Sequence, residues 1–140
     1  MALLLCLYEK GVSYLQKEIR RELLVAYQRY LNAFVNEDLD TINECVEFPL
    51  TYIGDGVVSN LDSFPISPAE MKASKGWSTS ENFEIDIVAH SETKAHVLMR
   101  NCRRLRSEGS LIEEASGFYA YKYTADGWKM YAISDIVMPA

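Results

Sequence analysis

A chain of 140 residues is the size of one domain and can bury roughly two thirds of the surface its unfolded form exposes. Apolar residues at 49% and charged residues at 24% argue against a disordered chain and against a membrane protein. A net charge of −6 argues against a general nucleic-acid binder, because phosphate binding needs a basic surface that displaces counterions.

The opening run from Ala2 to Leu7 is apolar, yet it lacks a basic leader and a cleavage site and is far too short to span a bilayer. Residues 1–12 therefore read as an N-terminal extension, frayed or packed, ahead of a single domain over residues 13–140. After Gly11, apolar side chains at Leu15, Ile19, Leu23, Tyr27, Tyr30, Leu31 and Phe34 recur every three or four residues, which predicts a long amphipathic helix. Asn36 or Asp38 caps a short second helix carrying Leu39, Ile42, Cys45 and Val46, which Pro49 ends. Leu50 to Ile53 form a strand, Gly54-Asp55-Gly56 a turn, and Val57 and Val58 the start of a second strand. Ser67-Pro68-Ala69-Glu70 combines a serine cap, proline at the first helical position and glutamate at the third, a capping box for a third helix ending near Gly76.

From Phe83 onward the period changes to two, with Ile85 and Ile87 alternating with Glu84 and Asp86. Three more β-rich runs follow, and Glu108-Gly109 and Asp126-Gly127 suit two-residue hairpin loops, so a four-stranded antiparallel meander is expected. Literal two-residue loops set Arg104 opposite Glu113 and Arg103 opposite Glu114, as exposed ion pairs. They also place His96, Leu98, Gly117, Tyr119, Tyr121, Met130, Ala132 and Ser134 on one face. Val97, Met99, Phe118, Ala120, Tyr131 and Ile133 fall on the other. Both faces are apolar, so one is expected to cover the first helix and a pocket, and the other to form a homodimer interface or to lie under the third helix.

Tyr27 to Asp40, followed by Asp126-Gly127-Trp128-Lys129-Met130 near the end, resembles the helical opening and last hairpin of the nuclear transport factor 2-like, or SnoaL-like, superfamily, in particular its ketosteroid isomerases. The resemblance covers about Leu23 to Val137. It implies an α+β, cystatin-like fold in which a cone-shaped, curved antiparallel sheet wraps a long N-terminal helix beside two shorter ones. In the isomerase pattern a tyrosine and a neutral carboxylic acid hold an enolate oxygen while an aspartate moves the proton. Tyr30 matches the tyrosine, Gly54 or, after a one-residue shift, Asp55 the base, and Tyr119 stands where the neutral acid belongs.

The residues themselves carry two readings each. Asp55 is a turn residue or a base; Tyr30, Tyr52, Tyr119 and Tyr121 are core aromatics or the polar-tipped wall of a pocket. His96 is a satisfied structural histidine or a general base beside Tyr121. Trp77 staples the third helix or roofs a cavity. Arg100, Arg103, Arg104 and Arg106 make a solvated strand surface, partly neutralised by Glu113 and Glu114. His90 and His96 without a third ligand make a poor zinc site, and no phosphate loop or nucleophile elbow occurs, so neither metal nor cofactor is expected. Cys6, Cys45 and Cys102, far apart and odd in number, fit reduced thiols in a cytoplasmic protein.

Three functions follow. The first is a pocket protein binding a small, largely apolar molecule among Tyr30, Tyr52, Asp55, Trp77, His96, Tyr119 and Tyr121. The second is an isomerase, cyclase or dehydratase using Asp55 or His96 as base and Tyr30 as oxyanion donor. The third is a homodimerisation module acting through the outer sheet face. None involves nucleic acid or a membrane.

Overall fold

The computed structural model describes residues 2–140, with side chains from Tyr14 onward. The packing expected of the Ala2 to Leu7 side chains, Cys6 included, lies outside that range. Helix α1 (Ala2–Val35) runs continuously through Gly11, which costs a helix interior about 1 kcal/mol and does not break it. Ile19, Leu23, Tyr27, Tyr30 and Phe34 form its buried stripe, whereas Leu15 is exposed. Each apolar side chain so removed from water contributes about 1.5–3 kcal/mol, which fixes this face of the helix on the sheet. No helix among the described residues is long and apolar enough to cross a membrane.

Of the two candidate caps, Asp38 is the one used: its carboxylate accepts the Thr41 amide at 3.1 Å and opens α2 (Leu39–Glu44). The Ser67 hydroxyl accepts the Glu70 amide at 3.2 Å to open α3 (Pro68–Lys75), and Gly76, at φ 70°, closes it. Lys72 Nζ donates to the Val35 carbonyl at 2.8 Å, which satisfies an orphan acceptor at the end of α1 and docks α3 there.

The strands are β1 (Val46–Ile53), β2 (Val58–Leu61), β3 (Thr79–Glu81), β4 (Glu84–His90), β5 (Lys94–Leu105), β6 (Leu111–Thr124) and β7 (Gly127–Pro139). They form one sheet in the order β2-β1-β7-β6-β5-β3, with β4 also paired to β5. Strands β4 to β7 make the expected antiparallel meander. Strand β1 pairs with β7 in parallel, so the sheet is mixed. Trp128 Nε1 donates to Glu22 at 3.1 Å and ties the last hairpin to α1.

Arg103 stands opposite Glu114 and Arg104 opposite Glu113, but not through the loops expected. The Arg106 amide donates to the Ser110 carbonyl at 2.9 Å and Leu105 pairs with Leu111, so a register shift between Arg104 and Leu105 restores the pairing. Thr124 pairs with Gly127, which makes Ala125-Asp126 the last loop. Two further bulges reverse the faces. One lies on β5 between Met99 and Cys102, where Asn101 takes φ 59°; the other lies on β7, where Tyr131 is the extra residue between Met130 and Ala132. A one-residue slip sends every following side chain to the opposite face. His96, Leu98, Ala132 and Ser134, expected inside, therefore accompany Phe118, Ala120 and Tyr131 on the outer face. Val97, Met99 and Ile133, expected on the dimer face, are instead core residues at 0%, 6% and 1% exposure. Gly117, Tyr119, Tyr121 and Met130 are inside as expected, and α3 covers the inner mouth rather than the outer face.

Candidate functional site

Four tyrosines fill the cone behind α1. Tyr119 meets Tyr27 edge-on at 5.0 Å between ring centroids and Tyr30 at 5.8 Å. Its ring folds down over Gly117, two residues earlier on the same face, where a Cβ would stand 2.7 Å from the Tyr119 hydroxyl; only glycine leaves room. Burial, followed by the charge of Asp135, raises the Tyr119 pKa, so the phenol stays neutral and can donate. The Tyr27 and Tyr121 hydroxyls are fully buried and have no hydrogen-bond partner among the described residues.

In front of this wall is a half-enclosed cleft of about 630 Å³ between β1, α3 and the end of β7. Ile66 and Met71 supply one apolar side; Ile136 and Val137 supply the other. The polar groups converge at its floor. The Tyr52 hydroxyl donates to Asp135 Oδ2 at 3.0 Å, joining β1 to β7. Burial pushes the Asp135 carboxyl above the ordinary aspartate range, against the opposing Tyr52 hydrogen bond and the charge of Arg104. Burial and the Asp135 charge together push the Tyr52 phenol up to about 12.

A second carboxylate supports the cleft from behind. Glu113, only 4% exposed, accepts Lys75 Nζ at 2.7 and 3.1 Å and Arg104 Nη1 at 2.7 Å. Burial alone would push this carboxyl up, but the two cations outweigh it and hold the pKa below the usual range. Arg104, expected on a solvated strand surface, is thus turned inward, and its ion pair with Glu113 is buried rather than exposed.

Arg104 also borders a narrower groove of about 240 Å³ between the last turns of α1 and the segment from Trp77 to Phe83. Phe34 and Trp77 pack there at 5.7 Å, and Trp77 Nε1 donates to Ser80 at 2.9 Å. Trp77 is therefore both a staple and a wall.

The expected site residues divide among these places. Tyr52 and Asp55 line the cleft, Asp55 as an exposed turn residue at its rim. Tyr30, Trp77 and Tyr119 line the groove, and Tyr121 lies deeper than either. His96 is on the outer face, 5.2 Å from the Phe118 ring, and is separated from all of them by the sheet. His90 pairs with Ala95 rather than His96, and among the described residues no group of three or more His, Cys, Asp or Glu could hold a metal. Asp135, Arg104 and Lys75 were not anticipated at the site. The available signal was an acid placed two residues after Ile133 on the last strand, where alternation gives both side chains one face.

No protein-family model matches the chain, and no curated protein matches it in sequence. Solved structures match over most of its length. An NTF-2-like protein of unknown function from Silicibacter pomeroyi is 14% identical with a TM-score of 0.63, over 87% of this chain and 98% of that one. A conserved protein from Planctomyces limnophilus is 12% identical with a TM-score of 0.62, over 86% and 97%. A cystatin-like fold protein from Burkholderia xenovorans is 16% identical with a TM-score of 0.58, over 89% and 95%. The chain thus has the nuclear transport factor 2-like, cystatin-like fold, and likeness at these identities speaks for architecture alone.

Proposed function

We propose that the protein binds a small, largely apolar molecule in the mouth of its cone, with the polar end of the ligand at Tyr52, Asp135 and Arg104. One observation carries the reading. Asp135 is an acid with a raised pKa, held by a single phenol rather than by a cation, on the floor of a half-enclosed cleft with apolar sides. A desolvated acid without an ion-pair partner costs folding energy, and such groups concentrate at functional sites. The test is thermal stabilisation by a panel of neutral small molecules. A hit should lose its effect in Tyr52→Phe and Asp135→Asn and keep it in His96→Gln. A panel that leaves the melting temperature of the wild type unmoved throughout would overturn the reading.

A second reading, an enzyme of the isomerase, cyclase or dehydratase kind, is favoured by the same acid. Asp135 has a hydroxyl at hydrogen-bonding distance and a pKa displaced toward neutrality, the properties of a proton-transfer group. It takes the role first considered for Asp55, which is exposed, and for His96, which faces away. Turnover that vanishes in Asp135→Asn and survives in Asp55→Asn is the expected pattern. A homodimer through Phe118, Ala120 and Tyr131 is compatible with either reading, and sedimentation as a monomer at micromolar concentration would remove it.

A further inference from the structure

We infer that the ligand is an amphipathic monocarboxylate with an aromatic body, its carboxylate docked on the free edge of the Arg104 guanidinium and its ring in the groove beside Phe34 and Trp77. The inference rests on the ligand-binding reading above, adds the chemical class, and sets the apolar body in the groove that shares Arg104 with the cleft.

The first support is the state of Arg104. Its side chain is 15% exposed, and among the described residues Nη1 alone is engaged, by Glu113 at 2.7 Å. A guanidinium offers five N–H donors in a planar fork, so the edge away from Glu113 is both oriented and unused. Glu113 is itself shared with Lys75. Asp135 is held by Tyr52 and makes no hydrogen bond or ion pair with Arg104, so it does not occupy the open edge of the guanidinium. Arg104 lines both the cleft and the groove, which places it where the two meet.

The second support is the groove, which is lined by Arg104 and by the rings of Tyr30, Phe34, Trp77 and Phe83. Its volume of about 240 Å³ exceeds the roughly 150 Å³ cavity that takes up benzene in an engineered protein interior, leaving room for one ring and a short chain. Aromatic walls favour a flat ring through edge and offset contacts. A carboxylate matches a guanidinium edge with two parallel hydrogen bonds. A phosphate would bring a second negative charge toward Asp135, and the repulsion selects the monoanion.

Calorimetry with hydrocinnamate, its neutral amide hydrocinnamide, and acetate tests this on the intact protein. Hydrocinnamate should bind about tenfold or more tightly than the amide, the loss expected when a charged hydrogen-bond pair becomes a neutral one, and acetate should bind negligibly. Arg104→Gln should abolish the preference for the acid, Arg104→Lys should retain part of it, and Trp77→Leu should weaken acid and amide alike. Equal affinity for acid and amide in the wild type overturns the inference without recourse to any variant. So does a preference that persists in Arg104→Gln. Binding of the amide alone overturns it and leaves the ligand-binding reading standing. Failure of both compounds overturns it too, and the broader reading falls only if the neutral panel is also silent.

Discussion

Glu113 and Asp135 occupy neighbouring strands, face the same interior and are both withdrawn from water, yet their carboxyl groups shift in opposite directions. Glu113 lies between Lys75 and Arg104, whose hydrogen bonds and charges outweigh burial and keep it ionised. Asp135 has one phenol as its donor and a cation only at longer range, so burial dominates. The contrast separates a carboxylate that builds the site from one that the site leaves available. Residue type does not distinguish them; the number of cations within hydrogen-bonding reach does.

The largest expected effect comes from Glu113→Gln, which leaves two cations without their shared anion. Stability at neutral pH should fall by about 3 kcal/mol in denaturant titration, as when one partner of a buried pair is removed. Because the folded-state pKa of Glu113 is depressed, its contribution is present above the unfolded value and disappears as pH falls through the folded one. The gap between variant and wild type should therefore close in acid, and a constant gap would refute the ion-pair account. Gly117→Ala comes next, costing about 1–3 kcal/mol, because its methyl would displace the Tyr119 ring. Asp135→Asn should have the opposite sign. The folded-state pKa of Asp135 is raised, so its contribution is present below the unfolded value near 3.8 and is lost as pH rises through the folded pKa. The asparagine variant should be the more stable protein at neutral pH, with the advantage disappearing in acid. Tyr121→Phe should change stability least, staying within about 1 kcal/mol of wild type or exceeding it, because it removes a buried hydroxyl that has no partner among the described residues.

The parts legible in the sequence were those governed by near neighbours. The stripe from Ile19 to Phe34 and the Ser67 capping box formed, since each depends on a few adjacent residues, and the hairpins formed with their loops displaced to residues 107–109 and 125–126. The pairing of Arg104 with Glu113 agrees with the expectation because the register shift at Leu105 offsets the longer loop. Its burial left no local signal, because that depends on α3 delivering Lys75 from a distant part of the chain. The site was misplaced by single-residue events. Bulges near Asn101 and Tyr131 exchanged His96 for Val97 and brought Ile133 and Asp135 inside in place of Ala132 and Ser134. The parallel pairing of β1 with β7, which brings Tyr52 to Asp135, links residues 83 positions apart and leaves no local mark.

The most direct measurement is a carbon-13 NMR titration of the side-chain carboxyl groups, with and without hydrocinnamate. The account predicts that Asp135 titrates above 3.8 and Glu113 below 4.5, the ordinary values of their residue types. A bound carboxylate should raise Asp135 further. An Asp135 that titrates at or below 3.8 and does not respond to the ligand would contradict it.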